Sequence, residues 1–147
     1  MANTLRIYAD FNGLGQWTDD ASRVGVRLDT LGSLRHLSNA GIRLHPGLRL
    51  CIWDRSDDAE DLEADAIAQF VPSIYPDRLV SAWVATFPKG ELRYVPTRHA
   101  VEDPRFLCLG CRRDLGPLGL TFAAQVDSTA VCPHCGTVRT AAIAPPA

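Results

Sequence analysis

The chain has 147 residues, of which 46% are hydrophobic and 22% are charged, and its formal net charge at pH 7 is −2. These values are close to the average of globular proteins, so they exclude a wholly disordered or fibrous chain. The near-neutral charge also excludes binding of nucleic acids or acidic membranes through bulk charge.

The first strands are predicted near the start of the chain. Alternating apolar and polar residues predict strands over 5–9 and 23–28. Leu31, Leu34 and Leu37 then predict one short helix, which begins after Asp29 or Thr30 and ends before Gly41.

Four further strands are predicted over 48–53, 62–71, 79–87 and 92–95, and polar segments with proline or glycine separate them. Strands in this order favour a meander. We expect the meander to close into a small SH3-like or OB-like β-barrel, because closure removes exposed strand edges. The fold class predicted for the chain is therefore mostly β.

The segment 95–104 contains two prolines and no periodicity, and it predicts a connector between two units. We place the boundary near residue 100, with a small β-barrel domain that includes one short helix over 1–98 and a second unit over 105–143. The strand pattern and apolar content of residues 1–98 predict that they fold without the second unit.

Four of the five cysteines lie in the last third of the chain. They form the pairs Cys108-Leu-Gly-Cys111 and Cys132-Pro-His-Cys135, with 20 residues between the pairs. A Cys-x-x-Cys turn directs two thiolates to the same side, so two such turns supply four ligands to one tetrahedral ion. Gly136 permits a tight turn after the second pair. Strands predicted over 118–126 and 137–143 would form a short ribbon around the ion.

Residues 105–143 resemble a zinc ribbon, and Cys-Pro-x-Cys-Gly at 132–136 is similar to the second knuckle typical of that superfamily. The resemblance covers about a quarter of the chain. It implies a β-ribbon fold with Cys108, Cys111, Cys132 and Cys135 as ligands. It implies no activity, because ribbons occur in transcription, translation and enzyme assemblies. The first knuckle departs from the pattern, since Arg112 stands where a glycine is usual. We recognise no family resemblance in residues 1–98.

Other uses of the four cysteines are less favoured. Two disulfides would need an oxidising compartment, but the start of the chain shows no basic segment followed by an apolar core. A redox pair needs a thioredoxin-like context, which the flanking sequence lacks. A rubredoxin-like iron site uses the same ligands but is usually packed by aromatic residues, and only Phe106 and Phe122 lie nearby. We therefore predict one Zn²⁺ ion, structural because four thiolates leave no open position.

Residues outside the paired cysteines are interpreted more simply. We expect His134 to be exposed and Cys51 to be a free structural thiol. The acidic run from Asp54 to Asp65 does not meet the requirements of an EF-hand, because Ala59 stands where glycine is needed and Asp65 where a bidentate glutamate is needed. We expect this run to be a solvated hairpin loop.

No motif in the chain indicates an enzyme. The glycine-rich phosphate loops are missing, and no recognisable hydrolase motif surrounds His36, His45 or His99. The longest uncharged run, 115–126, contains Gly116, Pro117 and Gly119 and is shorter than the roughly 20 residues of a membrane span. We expect no membrane insertion and a cytoplasmic location.

The favoured function is that of a non-enzymatic zinc-binding adaptor or protein-interaction module with a protein partner. The alternative is a nucleic-acid-binding protein that uses the ribbon and barrel surfaces. Four arginines could line one face beside the ion, namely Arg105, Arg112, Arg113 and Arg139. The near-neutral charge of both units and the scarcity of aromatic residues among these arginines make the alternative less favoured.

Overall fold

The computed structural model describes residues 5–57, 59–72, 82–97, 103–124 and 129–144. These residues form eight strands, which are β1 (Leu5–Tyr8), β2 (Arg23–Arg27), β3 (Arg49–Arg55), β4 (Glu60–Phe70), β5 (Trp83–Pro88), β6 (Arg93–Pro96), β7 (Thr129–Val131) and β8 (Val138–Thr140). Two α-helices accompany them, α1 (Leu31–Asn39) and α2 (Pro117–Ala124), with a 3-10 turn over Phe11–Gly13. Among these residues, neither helix is long and apolar enough to cross a membrane.

Six of the described strands form one mixed sheet in the order β1–β3–β4–β5–β2, and β6 pairs with β4. β1 runs parallel to β3, and the other pairs are antiparallel. β4 pairs with β3 along one edge, while its other edge is divided between β6 at residues 60–63 and β5 at residues 67–70. The predicted meander is therefore present in β3, β4 and β5, but β6 returns to β4.

The sheet path ends at β1 and β2, and no pairing joins these two strands within the described residues. The chain is mostly β, as predicted, but a closed SH3-like or OB-like barrel is not confirmed. Helix α1 covers the outer edge of β1 instead. The Ser33 hydroxyl donates to the carbonyl of Tyr8 at 2.8 Å, and the amide of Tyr8 donates to Nδ1 of His36 at 3.1 Å. Side chains of a helix thus satisfy edge groups that barrel closure would have satisfied.

The inner face of the sheet carries the apolar core. Alternate residues of the strands, such as Leu50, Ile52 and Trp83, are fully buried there, and Leu37 of α1 packs against them. The same cluster includes apolar residues from beyond residue 100, namely Phe106, Ala123, Ala142 and Ile143. The predicted boundary near residue 100 stays a prediction, and part of the predicted connector, 98–102, lies outside the described residues. The core contacts cross that boundary.

The strand predicted over 118–126 is wrong, because residues 117–124 form α2. Pro117 suits the first turn of a helix, where its missing N–H leaves no bond unmade. Gly119, Phe122 and Ala123 are buried, and their spacing of three and four residues is that of one helix face. A Cβ at Gly119 would overlap the side chain of Phe106, which explains why glycine occupies a helical position here. Residues 125–128 of the predicted strand lie outside the description.

The outer face of the sheet holds a network of ion pairs. Arg6 contacts Asp61 at 3.0 Å and Glu63 at 3.2 Å, and Arg93 contacts the other oxygen of Glu63 at 2.9 Å. Asp61 and Glu63 are buried in β4, so the expected solvated loop is wrong for these two residues. The alternation of β4 places them on one face opposite arginines of β1 and β6. The loop itself is the exposed turn around Asp57, whose carboxylate accepts two backbone N–H groups, and Asp58 lies outside the described residues.

Candidate metal centre

The four cysteines predicted as ligands lie together. Their Sγ atoms are all within 4.8 Å of one another. The Sγ atoms of Cys108 and Cys135 are 3.6 Å apart, and those of Cys111 and Cys132 are 3.8 Å apart. A tetrahedral ion with metal–sulfur bonds of about 2.3 Å places its sulfurs about 3.8 Å from one another. The cluster therefore has the size that a single tetrahedral metal ion requires.

The two knuckles are built by the same backbone pattern. The amide of Cys108 donates to the carbonyl of Arg113 at 2.9 Å, and the amide of Arg112 donates back to the carbonyl of Cys108 at 2.9 Å. In the second knuckle, the same two bonds join Cys132 with Thr137 at 3.0 Å and Gly136 with Cys132 at 2.9 Å. The second knuckle closes the β7–β8 hairpin, and the first lies between the connector and α2.

Arg112 and Gly136 hold the same position in the two knuckles. Gly136 has φ of 76°, and Arg112 has φ of 61°, the one positive φ found at a non-glycine residue in the described chain. The turn thus requires a left-handed residue after the second cysteine. The first knuckle meets this requirement with an arginine, at a cost of about 1–2 kcal/mol. Arginine in place of the usual glycine therefore makes the first knuckle less favourable, but the turn has the same backbone hydrogen bonds as the second knuckle.

Hydrogen-bond donors surround the sulfurs. The amide of Gly110 donates to Sγ of Cys108 at 3.3 Å, and the amide of His134 donates to Sγ of Cys132 at 3.4 Å. The Thr137 hydroxyl lies 3.0 Å from Sγ of Cys135. Such donors stabilise thiolates and orient them toward a metal. The hydroxyl and the amide of Thr137 lower the pKa of Cys135.

The thiols of the cluster differ in acidity. Backbone N–H groups, first that of Cys111 and then that of Gly110, lower the pKa of Cys108 to about 6. The backbone N–H of Arg113 acts in the same direction on Cys111, but burial and hydrogen bonds with the other three thiols raise the pKa of Cys111 to about 11. Protons therefore remain in the cluster until a cation replaces them. Metal binding should release protons.

Neither family models nor curated proteins nor solved structures give a match to this chain. The likeness to a zinc ribbon therefore rests on the two knuckles themselves.

Arg139 is buried, with 6% of its surface exposed. Its guanidinium donates to the carbonyls of Leu107 and Ser38 and, at 2.9 Å, to the Ser38 hydroxyl. It also lies 5.4 Å from the ring of Phe122. Arg139 thus joins the second knuckle to the first knuckle and to α1, and it does not belong to an exposed arginine face. The sequence carried no signal for this, since the four residues that follow the strand, 141–144, are all buried and show no alternation.

The other three candidate arginines are exposed. Arg105 pairs with Asp103 at 2.8 Å, and hydrogen bonds from Arg105 lower the pKa of that carboxyl to about 2. A guanidinium nitrogen of Arg113 lies 3.4 Å from Nδ1 of His134, which is exposed as the sequence predicts. Their role in binding a partner stays a prediction.

Cys51 lies on β3, outside the cysteine cluster. Its side chain is buried, and burial raises the pKa of the thiol to about 11. A guanidinium nitrogen of Arg93 is 3.9 Å from its sulfur. This thiol stays protonated at neutral pH, in agreement with a structural role.

The described histidines do not form a common site. His36 covers the edge of β1, a contact that sequence reasoning missed because its partner lies 28 residues away. His45 is exposed in the turn before β3. His99 lies outside the described residues.

Proposed function

We propose that this chain is a non-enzymatic, zinc-binding adaptor protein in which one structural zinc ion is held by Cys108, Cys111, Cys132 and Cys135. The observation that carries the proposal is the cluster of four Sγ atoms within 4.8 Å, at the spacing of a tetrahedral site. Four thiolates complete the coordination of zinc and leave no position for a substrate or a reactive water. The ion would therefore hold the two knuckles together without taking part in a reaction.

The surface of the zinc-binding region supports the adaptor part of the proposal. Nine large apolar residues are exposed in the described chain, and five of them lie beyond residue 103: Leu109, Leu118, Leu120, Val131 and Val138. Exposed apolar residues that are concentrated in one region are typical of protein-interaction surfaces. We propose that the partner contacts this region and that zinc keeps the region in shape.

Native mass spectrometry and affinity capture together test the proposal. We expect one zinc ion per chain and a partner that is retained by the zinc-loaded protein but not by Cys132→Ser. Leu120→Asp on the exposed face of α2 should weaken capture, while Leu31→Asp, an exposed apolar position on α1, serves as the matched control. A chain without metal, or a partner that Cys132→Ser still captures, would contradict the proposal.

The nucleic-acid alternative is tested by fluorescence anisotropy with labelled single- and double-stranded oligonucleotides. Of the four candidate arginines, Arg139 is buried and Arg105 is paired with Asp103, so Arg112 and Arg113 are left for phosphates. We expect dissociation constants weaker than about 10 μM at about 150 mM salt, at the weak end of nonspecific binding. Submicromolar binding that is lost in the double variant Arg112→Ala, Arg113→Ala would favour the alternative.

A further inference from the structure

A groove of about 250 Å³ lies between β8 and the chain that follows α1, and we refer to it as the β8 groove. Its apolar walls are formed by Leu37, Ile42, Leu109, Val138 and Ala142. Arg43 and Arg139 also line it, and none of the described lining residues is acidic. The β8 groove thus combines apolar walls with positive charge.

One wall of the β8 groove is the outer edge of a strand. The amide of Cys132 donates to the carbonyl of Thr137, so these two residues form a hydrogen-bonded pair at the end of the β7–β8 ladder. Hydrogen-bonded and non-hydrogen-bonded pairs alternate in antiparallel strands. Arg139 therefore directs its backbone groups toward β7, while Val138 and Thr140 direct theirs away from β7, on the side of the β8 groove.

Beyond the end of β8 the chain bends and bonds to two other segments. The carbonyl of Ala142 accepts from the amide of Leu44 at 2.9 Å, and the amide of Ile143 donates to the carbonyl of Ala123 at 3.3 Å. The chain at residue 44 is thus bonded to residue 142, whereas no such bond joins it to Val138 among the described residues. The β8 groove lies beside Val138, where this bond is absent.

Backbone donors and acceptors along a strand edge pair with another extended chain. The side chains determine which chain fits. Val138 is 64% exposed and Leu109 is 41% exposed, so they offer contacts to apolar side chains. The guanidinium of Arg139 donates to carbonyl and hydroxyl oxygens, and no carboxylate among the described residues neutralises its charge. A carboxylate in the bound chain would supply the missing counter-charge in this groove.

We propose that the β8 groove binds an extended, acidic–apolar peptide segment of a partner protein, which adds as a strand to the outer edge of β8. This inference rests on the proposed adaptor function, and it assigns that function a location and a class of ligand. Edge pairing supplies the affinity, and the uncompensated charge of Arg139 favours an acidic residue.

Random heptapeptides displayed on phage, selected on the zinc-loaded full chain, provide the probe. We expect the enriched pool to contain acidic residues beside β-branched ones. Val138→Pro removes an N–H that faces the groove and leaves the bonds to β7 in place, so it should weaken binding at least tenfold. Thr129→Pro is the matched control, because Thr129 is exposed and lies opposite Thr140 in the same ladder. Its N–H faces the other edge of the hairpin, and binding should change less than twofold.

A second measurement does not depend on the folding of a variant. One enriched peptide is methylated at each backbone nitrogen in turn, and we expect at least one methyl group to reduce binding to the wild-type chain tenfold. A pool that binds Val138→Pro as well as wild type, a failure to enrich, or a dimer of the chain that Val138→Pro dissociates would overturn the inference. Zinc stoichiometry and partner capture are separate readouts, so these results would leave the proposed adaptor function standing.

Discussion

The sheet region, residues 5–97, and the zinc-binding region, residues 103–144, are held together in different ways. The sheet region is stabilised by a large apolar cluster that its strands and α1 share. The zinc-binding region has a cluster of its own that consists of Cys108, Leu115 and Cys132, with Cys111 packed against it. So small a cluster does not stabilise a fold by apolar burial, and a metal ion bound by the four cysteines would take its place.

The zinc-binding region also contributes apolar side chains to the sheet region. Phe106, Ala123, Ala142 and Ile143 are buried in the core of the sheet region. The indole N–H of Trp83 donates to the carbonyl of Ala144 at 3.0 Å within that core. The difference between the regions teaches that the part proposed to depend on a metal contributes side chains to the core of the other part. Loss of the metal should therefore lower the stability of the sheet region.

Loss of a ligand has the largest expected effect. Cys132→Ser should reduce zinc affinity at least about a hundredfold, because a structural zinc ion supplies roughly 10–16 kcal/mol through its four thiolates. Native mass spectrometry decides this, with Cys51→Ser as the control that keeps one ion. Metal release from Cys51→Ser, or two ions per chain, would mean that the ligand set is different. In wild type, affinity should fall as the pH is lowered, because protons compete for the thiolates.

Ile143→Ala tests whether the two regions share one core. Ile143 is fully buried, and its truncation should cost about 2–5 kcal/mol of unfolding free energy. We expect tryptophan fluorescence from the sheet and metal release from the cysteines to follow a single urea transition at a lower midpoint. The exposed control Val131→Ala should change stability by less than about 0.5 kcal/mol. A sheet transition that does not move would favour the independent folding of residues 1–98 that the sequence predicts.

Arg139→Met removes the polar link between the regions. The carbonyls of Leu107 and Ser38 lose their donor in a buried setting, so we expect a loss of about 2–4 kcal/mol. Arg139→Lys should not restore stability, because one ammonium group does not reproduce the fork of a guanidinium. Urea unfolding measures both variants, with the exposed Arg113→Met as control. Equal stability of Arg139→Met and Arg113→Met would show that the link contributes nothing.

His36 should make the sheet region sensitive to acid. Burial, and then the positive charge of Arg6, lower the pKa of His36. The unfolded chain therefore takes up a proton first, and the unfolding free energy falls as the pH drops below about 6.5. The slope for one proton is at most about 1.4 kcal/mol per pH unit. His36→Gln should flatten the profile in urea melts between pH 5 and pH 8, whereas the exposed His45→Gln should follow wild type.

Arg112→Gly has the smallest expected effect, and its sign is favourable. Glycine removes the left-handed strain at this position but adds freedom to the unfolded chain, so we expect a gain of about 0.5 kcal/mol. Gly136→Ala places a side chain at the equivalent turn and should cost about 1 kcal/mol. Thermal unfolding of the zinc-loaded proteins measures both. If Arg112→Gly and Gly136→Ala change the stability in the same direction, the two knuckles do not share a requirement for positive φ at this position.

The metal centre was predictable from the sequence because each knuckle is a local turn. Cys108 and Cys111 are placed by bonds within six residues, and the same holds for the second pair. The strands of the sheet were predictable for a similar reason, since alternation is a property of neighbouring residues. The strand prediction for segment 118–126 was wrong because the segment is apolar at most positions, and a short apolar run does not distinguish helix from strand.

Contacts between distant residues could not be predicted in this way. Arg139 meets Ser38 across 101 residues of sequence, and Arg6 meets Glu63 across 57. The pairing of β6 with β4 and the covering of β1 by α1 are likewise settled by tertiary packing. An arginine looks the same in sequence whether it faces solvent or a helix terminus.

The cover that α1 places on β1 bears on how the protein would behave in concentrated solution. Strand edges are the points at which sheets of neighbouring molecules join and grow into aggregates. At Tyr8 both outward backbone groups are occupied by Ser33 and His36, so a foreign strand finds no partner there while α1 is in place. Intermolecular growth at Tyr8 must wait until the helix detaches. Precipitation that starts at Tyr8 would then begin at the temperature where α1 leaves the sheet, ahead of complete unfolding.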